Sequence, residues 1–243
     1  MSGKSDEARS HEASGARDAF AHVRDWVFDL DNTLYSARHR LFDQIDQRMT
    51  AFIAETLSLE VEAANTLRAV YWREHGTTLN GLMREHGMKP ARFLDYVHDI
   101  DLSAVPEDPA LGAAIERLPG RKIVYTNGSR GHAARILAHL GIEAAFDAVF
   151  GIEDSAYEPK PRRAAYDRVF SLAAVEPRRA AMVEDTARNL EAPHEMGMVT
   201  VWTPTECGLA RDGADGAHVH FIAEDLAAFL RPLGGGGASA NRR

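Results

Sequence analysis

Residues 25–35 read DWVFDLDNTLY. Trp26, Val27 and Phe28 make a short hydrophobic strand, and the chain then turns polar at two carboxylates two residues apart, Asp29 and Asp31. Such a pair is uncomfortable, because each acid raises the cost of ionising the other. A divalent cation removes that cost, and Mg²⁺, which prefers oxygen ligands and keeps several waters, needs only a few carboxylates. A solvated pair at a strand end is the bland alternative, so the stretch has to be weighed with the rest of the chain.

Further apolar runs succeed it: KIVYTNG (122–128), AVFGIED (148–154), AAMVED (180–185), MVTVW (198–202) and HVHFI (218–222). Helical patterns separate most of them. Ser129 to Leu140 carries Ala133, Ile136, Leu137 and Leu140 on one face and stops at Gly141. Pro161 to Leu172 opens with proline at a first-turn position, and Asn189 to Met196 stops at Gly197. Strands alternating with helices predict an α/β fold, a Rossmann-like parallel sheet with helices on both faces. Ligands bind beyond the carboxyl ends of such strands.

One segment breaks the alternation. Leu41, Phe42, Ile45, Met49, Phe52, Ile53 and Leu57 keep helical spacing, a second helix runs through Leu67, Val70 and Tyr71 to Gly76, and shorter ones end near Gly87 and begin at Pro90. The expected organisation is an α/β core at 22–36 and 106–232, an all-helical insertion at 37–105 lying over the strand ends as a lid, and disordered tails at 1–21 and 233–243.

Composition bounds the function. The 243 residues are 45% hydrophobic with a formal net charge of −8, acids and bases mixed throughout. That leaves no basic stripe for a nucleic-acid polymer. There is no apolar run of membrane-span length and no secretory leader pattern, and one cysteine, Cys207, excludes an internal disulfide. The expectation is a soluble, cytoplasmic protein, monomer or homodimer.

Three more strand ends complement the aspartates. Thr126, Asn127 and Gly128 offer a hydroxyl and loop amides before a helix, suited to a phosphate oxygen. Lys160 in YEPKPRR could offset phosphoryl charge, and Glu184 with Asp185 forms a second acidic pair. Each alone reads more readily as something ordinary, a capping turn for Thr126, a surface lysine for Lys160, a solvated turn for Glu184 and Asp185; the ordered set of four does not. In that order they resemble the four motifs of the haloacid dehalogenase-type (HAD) phosphatase superfamily, and the helical insertion falls where that family carries its C1-type cap. YWREHGTTLNGLMREHG (71–87), FLDYVHDIDLSAVPEDPAL (93–111) and KIVYTNGSRGHAARIL (122–137) are similar to the pyrimidine 5′-nucleotidase branch.

The resemblance implies Mg²⁺-dependent hydrolysis of a small phosphorylated metabolite, most simply a nucleoside monophosphate, through an aspartyl-phosphate. Asp29 would be the nucleophile and Asp31 the general acid and base. Thr126, Asn127 and Lys160 would hold the phosphate. Asp29, Asp31 and Asp185 would hold the metal, Asp31 through its backbone carbonyl, with Glu184 and Asn189 just outside; one common form of the fourth motif has an aspartate where Asn189 stands. Tyr71, Trp72, His75, Thr77, Thr78 and Asn80 are the insertion's candidates for meeting a base or sugar, although Tyr71 and Trp72 read equally well as helix packing. Arg38, His39 and Arg40 could meet a second anionic group or lie solvated. His218 and His220 alternate on the expected last strand without a third metal ligand, and His132 and His139 are expected to be exposed. A sugar phosphatase, a phosphomutase, a dehalogenase and a non-catalytic binding protein remain the alternatives.

Overall fold

The computed structural model describes residues 17–206 and 208–234. Six strands, β1 (Asp25–Phe28), β2 (Arg121–Tyr125), β3 (Ala148–Phe150), β4 (Ala180–Glu184), β5 (Val199–Trp202) and β6 (Phe221–Ile222), form one sheet in the order β3-β2-β1-β4-β5-β6. Every pairing is parallel, and Phe28 stands level with Val124 of β2 and Val183 of β4.

Period-two alternation divides the core between the two faces. Trp26, Phe28, Val124, Ala181, Val183 and Val201 enter one apolar cluster; Val27, Ile123, Tyr125, Ala180, Met182 and Trp202 enter the other. The first face is covered by α5 (Pro109–Glu116), α6 (Arg130–Leu140) and α9 (Leu226–Leu230), the second by α7 (Arg163–Ala173) and α8 (Glu191–Glu195).

Four helices intervene after β1: α1 (Leu41–Leu57), α2 (Val61–His75), α3 (Thr78–His86) and α4 (Pro90–Val97). Gly76 and Gly87 end α2 and α3 in left-handed conformation, and Pro90 opens α4. These helices share their own cluster, with Phe52, Ile53, Tyr71, Leu82, Phe93 and Val97 buried. Ile152, from the loop after β3, joins that cluster and seats the helices on the sheet domain.

The structure corrects several expectations. Residues 17–20 form a helical turn rather than tail, and Phe20 is buried, stacked on Trp26 at 5.1 Å between ring centroids. Residues 1–16 and 235–243 lie outside the described residues, as does Cys207. Helix α7 starts at Arg163, because Pro161 is spent in the turn that carries Lys160. Strand β6 is only two residues long, so His218 and His220 precede it; His220 Nδ1 accepts from the Thr200 N–H at 3.1 Å. Phe42, counted in the apolar stripe, is 43% exposed. No helix among the described residues is long and apolar enough to cross a membrane.

Candidate active site

The strand order reverses about β1 and β4, which opens a crevice at their carboxyl ends. Asp29 follows β1 directly, its N–H donating to Val183 O at 2.9 Å, and Glu184 closes β4 with Asp185 next. Thr126 follows β2 and donates its N–H to Phe150 O at 3.1 Å. Lys160 arrives from the long loop after β3. Its N–H donates to Asn127 Oδ1 at 2.8 Å, and Asn127 Nδ2 donates back to Lys160 O at 3.2 Å. The Asn127 side chain therefore fastens the lysine loop, leaving its backbone N–H as the group to meet an anion.

Buried Lys160 spends all three of its protons locally: Nζ donates to Asp29 Oδ1 at 2.6 Å, Glu184 Oε1 at 2.8 Å and Tyr125 O at 3.1 Å. Glu184 is itself tied down, Oε1 accepting from Asn189 Nδ2 at 2.6 Å and Oε2 from the Thr186 N–H at 2.7 Å. Asn189 thus positions Glu184.

Carboxylate oxygens of Asp29, Glu184 and Asp185 lie within 4.8 Å of one another, all three residues buried. Burial pushes Asp29 up to about 7 despite the Lys160 charge, with Glu184 and Asp31 adding to the rise. Burial and the charges of Glu184 and Asp29 also raise Asp185 well above the usual carboxylate range. Burial opposes the charge on Lys160, but Asp29 and Glu184 more than restore it and raise the ammonium further. Three packed acids sharing one lysine leave the site short of positive charge. An all-oxygen set without thiolate or imidazole fits a hard divalent cation such as Mg²⁺, with Asp29 and Asp185 as holders and Glu184 alongside.

Asp31 sits in different company. After Leu30 the chain turns through Asn32 at φ 65°, and Tyr35 comes back to donate its hydroxyl to Asp31 Oδ1 at 2.7 Å. The same oxygen lies 2.8 Å from His132 Nε2. Oδ2 has only a long contact, 3.5 Å, from the Thr126 hydroxyl. Burial would raise Asp31, but the charge and hydrogen bond of His132, aided by Tyr35, outweigh it and hold the carboxyl down at about 2. His132, expected on an exposed face, is only 2% exposed, because it precedes buried Ile136 and Leu140 by one and two helical turns. His139 is not free either, as Nε2 meets Val105 O at 2.7 Å.

The insertion's candidates are largely occupied at home. Tyr71 is buried under α3 and its hydroxyl meets His86 Nε2 at 2.6 Å, so it packs rather than offering a ring. Trp72 is 49% exposed on α2. Thr77 caps α3 by accepting from the Asn80 N–H, buried Asn80 donates to His75 O at 3.3 Å, and His75 Nε2 lies 3.6 Å from Glu85. Thr78 is buried in the first turn of α3. The loop they share does reach the core: Arg162 Nη2 donates to His75 O at 3.2 Å, and Gly76 lies against Pro159, one residue before Lys160. Arg38 pairs with Glu206 at 3.4 Å on the surface.

This arrangement defines a class. A family model described as haloacid dehalogenase-like hydrolase matches residues 26–197, and the chain belongs to that family. Phosphate metabolism protein 8 of Saccharomyces cerevisiae is 27% identical over 136 residues, 51% of this chain and 42% of the yeast protein, so the chain spans less than half of that relative. Among solved structures, the L-2-haloacid dehalogenase of Xanthobacter autotrophicus is 15% identical with a TM-score of 0.53, covering 88% of this chain and 100% of its own. A haloacid dehalogenase-like protein of Streptococcus pneumoniae is 14% identical with a TM-score of 0.56, at 86% and 98% coverage. A magnesium-bound HAD-type protein of Bacillus subtilis is 16% identical with a TM-score of 0.53, at 87% and 98% coverage. At these identities the likeness is one of fold.

Proposed function

We propose that this protein is a Mg²⁺-dependent phosphomonoester hydrolase that works through an aspartyl-phosphate, with a nucleoside 5′-monophosphate, pyrimidine first, as its substrate. The observation that carries the reading is Asp31, a largely enclosed carboxyl with Oδ2 beside the Thr126 hydroxyl. A halide departs without a proton, whereas an alkoxide needs one, so an acid at this position serves ester chemistry and has no task in dehalogenation.

Asp29 attacks phosphorus, the bond to the leaving oxygen breaks, and Asp31 protonates that oxygen. Asp31 then takes a proton from water, whose oxygen attacks phosphorus and releases Asp29. The resting network favours ionised Asp31, the form needed in the second step; an arriving phosphate dianion raises it toward the acid form needed in the first. Thr126 and the Asn127 N–H hold oxygens on which transition-state charge gathers, and Lys160, anchored between Asp29 and Glu184, sets its positive charge beside them. Burial works against an ionised Asp29, so the nucleophile depends on cations beside it. A Mg²⁺ ion held by Asp29, Asp185 and the Asp31 carbonyl would supply charge against repulsion between carboxylate and phosphate.

The word phosphate in the yeast relative's name supports the reaction class, and the resemblance of residues 71–87, 93–111 and 122–137 taken together to the pyrimidine 5′-nucleotidase branch supports the substrate. The helical insertion acts as a cap, excluding water from the crevice. Phosphate release from UMP, CMP, AMP, GMP and sugar phosphates, with and without Mg²⁺, tests both claims. Pyrimidine preference is the expected result, and Asp29→Asn should lose at least about a thousandfold in kcat. Turnover confined to sugar phosphates overturns the nucleotide assignment; halide release from haloacids with no ester cleavage overturns the phosphomonoester assignment.

A further inference from the structure

Asp31 is not held symmetrically. Oδ1 takes two short hydrogen bonds, from Tyr35 at 2.7 Å and from His132 Nε2 at 2.8 Å, while Oδ2 takes neither. The two donors come from separate elements, Tyr35 from the turn after β1 and His132 from the first turn of α6. A carboxylate pinned twice through one oxygen cannot rotate without breaking both bonds.

His132 is itself built into place. Its N–H donates to the Ser129 hydroxyl at 3.1 Å as the helix cap, and Gly128 leaves room for the ring, since a Cβ there would stand 3.1 Å from His132 Cδ2. Behind it the His98 ring stacks at 4.3 Å and 14°, held by Ser129 Oγ at 2.9 Å. His98 sits where the helical insertion returns to the core, and Arg135 fixes that return by donating to His98 O at 2.6 Å and Ile100 O at 3.0 Å. A core histidine that served only packing would need none of this alignment toward a single carboxylate oxygen.

We infer that His132 and Tyr35 are positioning residues for Asp31, fixing Oδ1 so that Oδ2 is the oxygen that passes the proton to the leaving group. The inference rests on the phosphatase reading. It makes a prediction that a general loss of structure does not share: protonation matters for an alkyl phosphate and hardly at all for p-nitrophenyl phosphate, whose leaving group departs unaided.

The test is kcat/KM, which ends at the first irreversible step, for UMP and p-nitrophenyl phosphate in Mg²⁺. His132→Ala and Tyr35→Phe should each lose about 30-fold to 100-fold on UMP and less than about threefold on p-nitrophenyl phosphate, within the range of general acid catalysis. His132→Gln, whose side-chain amide can put an N–H near the Nε2 position, should recover about tenfold of the UMP loss. In an Asp31→Asn background, His132→Ala should cost nothing further on UMP. Equal losses on both esters, or an undiminished His132→Ala loss in the Asp31→Asn background, overturn the inference while leaving the phosphatase reading intact. If His132→Ala melts early by circular dichroism, Tyr35→Phe, which deletes one oxygen, decides by the same criterion. A wild-type protein that releases phosphate from none of the nucleotides, sugar phosphates or p-nitrophenyl phosphate overturns the phosphatase reading, and the inference with it; if only a sugar phosphate turns over, that ester takes the place of UMP in the comparison.

Discussion

Lys160 shows how much a single residue carries here. It is buried and bridges Asp29 and Glu184, so Lys160→Met would leave two acids facing each other without their cation. Breaking a buried pair in this way costs about 3 kcal/mol. Thermal melting of the variant should show that loss, with part of it recovered on adding Mg²⁺. The residues that gather in the crevice were legible in the sequence because Asp29, Thr126 and Glu184 stand at or just beyond strand ends, while Lys160, ten residues past the end of β3, was legible only as a lysine in a proline-bracketed turn. His132 was not legible as a partner of Asp31. Its signal was present in the helical spacing, since it falls in line with Ile136 and Leu140, but a histidine on an apolar face has many ordinary reasons to be there.

At the scale of elements, two contacts are open to measurement. Gly81 of α3 lies so close to the Tyr71 ring of α2 that any Cβ would collide with it. Gly81→Ala should destabilise the protein by about 2 kcal/mol, read from denaturant midpoints, as overpacked sites do. The second contact is His98, at the end of α4. Burial first, and then the neighbouring charge of His132, push its pKa down to about 3 from an ordinary 6.5. A depressed folded-state pKa means that the associated stability is fully present above pH 6.5 and is lost as pH falls toward 3. Wild type should therefore lose stability against His98→Gln across that window, by at most about 1.4 kcal/mol per pH unit; parallel unfolding curves at about pH 7, 6 and 5 would contradict it. Helices α1 to α4 followed from apolar spacing and glycine or proline punctuation. The start of α7 did not, because a proline before a helix also serves a turn, and local sequence does not say which.

For the whole molecule, the crowding of carboxylates at one end of the sheet means that a cation bound there would stabilise the fold. Mg²⁺ at about 100 times its Kd should add about 2.7 kcal/mol of stability, seen as a rise in Tm, and Asp185→Asn should abolish most of that rise. Parallel topology was legible from the alternation of strands and helices. How the helical insertion touches the core was not, since contacts such as Ile152 with the insertion's cluster, or Arg135 with the His98 carbonyl, join positions far apart in sequence. The return segment at His98 also limits how this architecture can be recombined. A foreign lid spliced in at the nearest convenient loops would bring new walls for a new substrate, yet would remove the imidazole that backs His132. Grafting that keeps residues 98–105 preserves the support behind His132 and Asp31, so the exchangeable module is shorter than the helices alone would lead a designer to cut.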